Sequence, residues 1–239
     1  MTPMERVPYD DRGTALTGWF ARPVGSLKAS ALRGGIVIFP TIMNASAHMQ
    51  RRAAMLAEAG FAVLIADFYG EMPADFTEAG ALAAPLRADT DHYRTRLAAA
   101  VAALRSVMPL ARLSAIGFCL GGQAVLELAR AGEDLALVAS FHGILTTERK
   151  AEASTPVKPR ALILHGDADP FAPRDHVTAL WEELDDAGYD WHFHAYSGTR
   201  HGFTDPASDT RGLDAIRYDA SADRQAWAAL MSTLDEIYG

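Results

Sequence analysis

A single cysteine, set in Gly117-Phe118-Cys119-Leu120-Gly121-Gly122, is the residue of this chain best suited to do chemistry. Its G-x-C-x-G frame follows an apolar run, Leu113 to Gly117, and precedes a helix-forming stretch, Gln123 to Arg130. Strand, sharp turn and helix in that order make a nucleophile elbow. At such an apex the backbone is strained and the side chain stands clear of the sheet. Gly117 and Gly121 leave room for the crossing backbone, which a Cβ would obstruct. A helix N-terminus beside the sulfur favours its thiolate form. An isolated G-x-C-x-G reads equally as a buried, inert cysteine beside a glycine-rich turn. The flanking strand and helix favour the nucleophile.

A thiol nucleophile needs a base, and the base needs a group to orient it. Two later strand-end turns supply them: Gly166-Asp-Ala-Asp169-Pro170 and Gly198-Thr-Arg-His201-Gly202-Phe203. Nucleophile, acid, histidine is the chain order that α/β-hydrolases use. In that arrangement Cys119 attacks an acyl carbon. His201 takes or holds the thiol proton and later activates water, and Asp169 fixes the imidazole tautomer. Asp167, directly after a strand, reads as a cap or turn former. Pro170 and Pro173 stiffen the loop just past Asp169, which is preferred. His142 and His165 stand at strand ends and read as core or rim residues. His192 and His194 fit ordinary strand alternation, with Trp191 and Phe193 facing the core, better than a metal pair. His48, His92 and His176 read as helix-surface residues. An oxyanion hole needs two backbone donors. Leu120, after the nucleophile, supplies one. The turn Phe39-Pro40-Thr41-Ile42 supplies the other through the Ile42 amide, with the Thr41 hydroxyl aimed into the pocket.

These groups need a sheet whose strand ends converge. Gly35–Phe39, Phe61–Ala66, Leu113–Phe118, Leu135–Phe141 and Arg160–His165 are short apolar runs, as expected of strands covered on both faces. Tyr189–Tyr196 is a further strand. Helical stretches alternate with them: Ala45–Ala59 closed by Gly60, Ala88–Val107, Asp175–Ala187 ended by Gly188, and Asp223–Tyr238. The last carries Trp227, Leu230, Leu234 and Ile237 at helical spacing. That order predicts a mostly parallel, doubly wound sheet. The opening residues differ: Val7-Pro-Tyr, a turn at Asp10 to Gly13 and Leu16 to Phe20 predict an antiparallel hairpin at the sheet edge. Residues 70 to 88 read as irregular, and 146 to 158 as a polar connection too short to divide domains.

The 239 residues suit one domain, 1–239, with no separate lid domain. About half of them (49%) are hydrophobic, so the chain is globular and not disordered. Net charge is −8 with no basic cluster, which argues against nucleic acid and anionic membranes as partners. A lone cysteine cannot form an internal disulfide and suits a reducing compartment. The opening residues carry no apolar signal core, so a cytoplasmic location is expected. The expected partner is a small-molecule ester or lactone, and the expected state is a monomer or weak homodimer.

On Gly117-Phe-Cys119-Leu-Gly-Gly122, Gly166-Asp-Ala-Asp169-Pro-Phe-Ala-Pro173 and His201-Gly-Phe203, the chain resembles the dienelactone hydrolase family of α/β-hydrolases. Ala66-Asp-Phe-Tyr69-Gly70 and Tyr218 through Trp227 also fit the family pattern. The resemblance runs from about residue 10 to the end, and the cysteine elbow is its most specific part. It implies the α/β-hydrolase fold, a Cys119–Asp169–His201 triad, and no cofactor or metal. It also places Thr41, Tyr69, Glu71 and Phe203 at the substrate. Founding members carry a glutamate in the first oxyanion turn, credited with taking the cysteine proton, where this chain has Thr41. They also carry two arginines that bind a substrate carboxylate, where this chain has Glu71 and Asp205. Acids in place of cations repel a carboxylate at close range. The expected activity is hydrolysis of small esters or lactones through an acyl-cysteine, without specificity for a carboxylate-bearing dienelactone. A catalytically weak small-molecule binding protein and an acyltransferase are the alternatives.

Overall fold

The computed structural model describes residues 4–24, 32–108 and 112–239. The apolar runs form the inner strands. Every residue of β3 (Gly34–Phe39), β4 (Phe61–Ile65), β5 (Leu113–Phe118) and β6 (Leu137–Phe141) is buried, as both-face coverage requires. The chain falls into two compact units, Met1–Ala115 and Ile116–Gly239, with β5 running through the boundary.

In the first unit the strands hydrogen-bond in the order β1-β2-β4-β3-β5. β1 (Glu5–Asp11) and β2 (Thr14–Ala21) pair antiparallel as the expected edge hairpin. Arg12 and Gly13 both have positive φ, 51° and 83°, as a two-residue hairpin loop of matching twist demands. β2 pairs antiparallel with β4, and β4 parallel with β3. α1 (Ala47–Glu58) starts at Ser46, whose hydroxyl accepts the Met49 amide. His48, expected on a helix surface, is buried on α1.

Residues 70–88 are not irregular throughout. Phe76–Ala88 forms α2, ahead of α3 (Thr90–Val107). Asp75 caps α2 by accepting from the amides of Thr77 and Glu78 at 2.8 and 2.9 Å. Ala79, Ala83 and Leu86 form its buried side. Pro85 lies inside the helix and removes one backbone donor; three small or short residues and a proline hide the helical period from a sequence reading.

Two buried aspartates bind this unit together. Asp11 meets Arg96 Nε at 2.6 Å and His92 Nε2 at 2.9 Å, and Arg96 Nη1 donates to the Phe68 carbonyl. Asp67 accepts from Asn44 Nδ2 at 2.7 Å and from the amides of Tyr69, Gly70 and Thr17.

In the second unit the order is β5-β6-β7-β8, with β7 (Arg160–Gly166) parallel to β6 and β8 (Trp191–Tyr196) parallel to β7. Trp191 and Phe193 are half-buried while His192 and His194 face out, the expected alternation. α4 (Leu120–Ala131) is buried along all but its last residue. α5 (Arg174–Ala187) ends on Gly188 at φ 73°, and α6 (Ala220–Tyr238) is capped by Asp219. Arg130, near the end of α4, is buried. It binds Glu183 of α5 at 2.7 Å, Glu127 at 2.9 Å and the Leu145 carbonyl at 2.9 Å. The helix that follows Cys119 is thereby tied to the helix that follows the Asp169 loop. Among the described residues no helix is long and apolar enough to cross a membrane.

Arg130→Met should lower stability by about 3–5 kcal/mol, because two buried carboxylates lose their counter-charge. A urea midpoint that implies a loss below about 1 kcal/mol would show the network to be dispensable.

Candidate active site

β5 delivers Cys119 to the start of α4 with φ 58° and ψ −115°, a backbone region that residues with a Cβ rarely enter. A Cβ at position 117 would overlap the Gly121 carbonyl, so only glycine lets the helix cross there. The second glycine pair is Gly122 and Gly143: a Cβ on Gly122 would stand 2.5 Å from Gly143 Cα. The Cys119 amide donates to the Phe141 carbonyl at 3.1 Å and to His142 Nδ1 at 3.1 Å. Phe118 stacks on Phe141 at 4.6 Å beneath the turn. Cys119 itself is half-buried, and Leu120 opens α4 directly after it.

β7 ends on Gly166, where a Cβ would lie 2.5 Å from the Thr199 carbonyl. The acid loop and the histidine loop therefore touch through backbone, and the Ala168 amide donates to that same carbonyl. Asp169 is buried. Its Oδ1 accepts the Phe171 amide at 2.9 Å and its Oδ2 lies 2.7 Å from His201 Nδ1. Asp167 turns away and pairs with Arg174 Nε and Nη2, both at 2.8 Å. Of the two candidate acids, Asp169 is the one brought to His201.

His201 is buried, with its amide donating to Ala215 and its carbonyl accepting from Arg217. With Nδ1 on Asp169, Nε2 is the ring nitrogen left to serve the sulfur, and the imidazole hydrogen-bonds Cys119. Burial opposes a charged imidazole here. The Cys119 thiolate and the bonds to Asp169 and Cys119 outweigh it and push His201 from 6.5 up to about 10. The imidazolium is held from acid solution up to that pH and is lost above it.

Two aromatic rings flank His201, and the sequence pointed to neither as a neighbour. Phe171, 44% exposed, meets it edge-on at 4.9 Å. His142 meets it edge-on at 5.1 Å. Phe203 was expected at the substrate and is instead fully buried, edge-on to His142 and Tyr196. Gly202, at φ 67°, reverses the backbone and sends that ring inward. Asp205 is not a bare anion: Arg211 Nη2 lies 2.6 Å from its Oδ2, and its Oδ1 accepts the Ala207 amide. His165 is buried with neither ring nitrogen hydrogen-bonded, and burial holds its pKa below 6.5 against the pull of Asp169 and Asp167.

The other expected site residues lie in the first unit. Thr41 Oγ1 accepts the Met43 amide at 3.3 Å, a local turn bond. The Tyr69 hydroxyl donates to the Ile42 carbonyl at 3.2 Å and so orients the Ile42 turn. Glu71 is exposed, and its carbonyl accepts from Asn44. Among the described residues no group of three or more His, Cys, Asp or Glu side chains is arranged to hold a metal ion.

The sequence profile of the dienelactone hydrolase family matches residues 19–238. The crystal structure of a dienelactone hydrolase-like promiscuous phosphotriesterase from metagenomic libraries superposes with a TM-score of 0.91. It is 32% identical, covering 99% of this chain and 98% of that one. The "probable 2-oxo-3-(5-oxofuran-2-ylidene)propanoate lactonase" of Bradyrhizobium sp is 24% identical over 239 residues, 94% of this chain and 90% of its own. An uncharacterized protein of Caenorhabditis elegans is 34% identical over 148 residues, 61% of this chain and 94% of its own.

A thiolate that raises the imidazole is itself favoured by the imidazolium, so Cys119 should titrate low. Its alkylation by iodoacetamide should be flat from about pH 6 to 9. His201→Ala should move the inflection up to about 8.5. A wild-type inflection already at that value would leave no resting ion pair.

Proposed function

The chain belongs to the dienelactone hydrolase family, and from that premise we propose that its single domain, 1–239, cleaves small neutral esters or lactones through an acyl-cysteine. Its fold is that of the α/β-hydrolases and its class is carboxylic ester hydrolase. What supports the finer reading is the position of His201, with Asp169 on one ring nitrogen and a hydrogen bond to Cys119.

The steps follow from that arrangement. The Cys119 thiolate attacks the carbonyl carbon and forms an S–C bond. The oxyanion sits on the Leu120 amide, directly after the nucleophile. The C–O bond breaks as the His201 imidazolium gives its proton to the departing alkoxide, leaving a neutral ring. Thioester formation also removes the negative sulfur that held His201 protonated, so the ring does not readily recharge. It is then a base for water. Water adds, its proton passes to His201, and the thiolate leaves.

Loss of the family glutamate fits this scheme. Thr41 stands in its place and cannot take a proton near neutral pH, so His201 is the remaining base. A thiolate also leaves more easily than an amine, which favours esters and lactones over amides.

Substrate charge is the second part of the proposal. Neither Glu71 nor Asp205 can anchor a carboxylate. Pairing with Arg211 removes much of the repulsion expected of Asp205, so the discrimination against acids is modest. A second reading is favoured by the likeness to the promiscuous phosphotriesterase: the same thiolate attacking a neutral phosphotriester.

p-Nitrophenyl acetate should give a burst of one nitrophenolate per Cys119. Cys119→Ala and His201→Ala should each lower kcat/KM by about 10³-fold or more. No burst, together with tight binding of the ester, would favour the binding-protein alternative. Acyl transfer to a solute other than water would favour the transferase. A dienelactone methyl ester should be turned over about tenfold faster than its free acid, and a clear preference for the acid would overturn the neutral-substrate assignment. Turnover of a neutral aryl phosphotriester that survives in Cys119→Ala would remove the second reading.

A further inference from the structure

His142 is tied into the proposed site through both ring nitrogens. It follows β6 with φ 40°, a conformation that costs an ordinary side chain strain and that the next residue, Gly143, would adopt freely. The ring is buried, 2% exposed. Nδ1 receives the Cys119 amide at 3.1 Å, and Nε2 lies 2.9 Å from Thr204 Oγ1. Its edge contacts reach the rings of His201 at 5.1 Å and Phe203 at 5.2 Å.

These bonds fix a tautomer. A backbone N–H can only donate, so Nδ1 must present its lone pair. The ring proton is then on Nε2 and is donated to the Thr204 hydroxyl. His142 is a neutral ring with both nitrogens engaged, one on the backbone of the nucleophile and one on the loop that carries the proton-handling histidine. A core aliphatic residue would fill the volume and make neither bond.

We infer that His142 is a positioning residue: it clamps the Cys119 backbone to the loop that carries His201 through Thr204, and so holds the sulfur and the imidazole in register through both half-reactions. The inference rests on the cysteine-hydrolase reading and names a further part of that site. The effect of His142 is on where the sulfur sits relative to His201, which both acylation and the resting ion pair require.

Three variants test it, read by p-nitrophenyl acetate kinetics and by the pH profile of Cys119 alkylation. His142→Phe keeps a ring and deletes both bonds. Thr204→Val deletes only the far one. His142→Asn keeps a carbonyl acceptor for the Cys119 amide in a residue that tolerates positive φ. Loss of register should lower kcat in His142→Phe by about 10- to 100-fold with KM changed by no more than about threefold. The apparent thiol pKa should rise by about one unit as the imidazolium is displaced. Thr204→Val should show the same shifts to a smaller extent, and His142→Asn should recover most of kcat. If folded His142→Phe keeps the wild-type kcat and alkylation profile, the inference is wrong. If His142→Phe does not fold, Thr204→Val decides alone, and wild-type behaviour there overturns it. A burst that persists in Cys119→Ala would instead overturn the parent reading. A lost burst in Cys119→Ala with unaffected His142 and Thr204 variants would overturn this inference only.

Discussion

The carbonyl of Gly121 fills the volume in which any side chain at position 117 would stand. That one steric fact governs the junction of β5 and α4. The helix must begin immediately after the strand, with Cys119 alone between them at positive φ. A residue with a Cβ held in so sparsely populated a backbone region costs about 1–3 kcal/mol and persists only where its surroundings over-determine it. Here they do. The strained amide has two acceptors, Phe141 and His142. Gly122 and Gly143 allow the turn after β6 to press against the first turn of α4. Arg130 anchors the helix's far end to Glu183. The result is a sulfur lifted out of a strand whose own residues are all buried.

Much of this could be read along the chain, because buried parallel strands and tight turns have local signatures. β3, β4, β5 and β7 are apolar runs since neither face meets water. Cys119, Asp169 and His201 each occupy a glycine- or proline-marked turn at a strand's end. The failures have a common physical cause: they depend on partners distant in sequence, or on one dihedral. Phe203 neighbours His201 in the chain, yet Gly202 turns its ring into the core. The charge of Asp205 is visible in the sequence, but its pairing with Arg211 exists only once the turn at 206–210 brings them together. α2 hides behind Pro85 and small residues. His142 makes its two bonds to residues 23 and 62 positions away, and no local pattern announces that.

Two cationic groups are buried in the second unit, and they differ in what happens to their partners. Arg130 is surrounded by Glu127 and Glu183, whose charges nothing in the proposed chemistry alters, so the desolvation cost is offset once and permanently. His201 has one permanent partner, Asp169, and one, the Cys119 sulfur, whose charge the proposed chemistry would remove. While the sulfur is anionic the imidazole is protonated, because that charge outweighs the burial that opposes it. In the proposed acyl-enzyme, Asp169 alone would face the cost of burying an imidazolium, and the balance would move toward the neutral ring. In the proposed reaction the proton affinity of His201 would therefore be set by the covalent state of Cys119: high when a leaving group must be protonated, lower when water must be deprotonated. A second carboxylate beside the ring, as Arg130 has, would hold the proton through both steps and remove the base. The single carboxylate at His201 and the site's burial are what would let one imidazole serve the proposed reaction as acid and then as base.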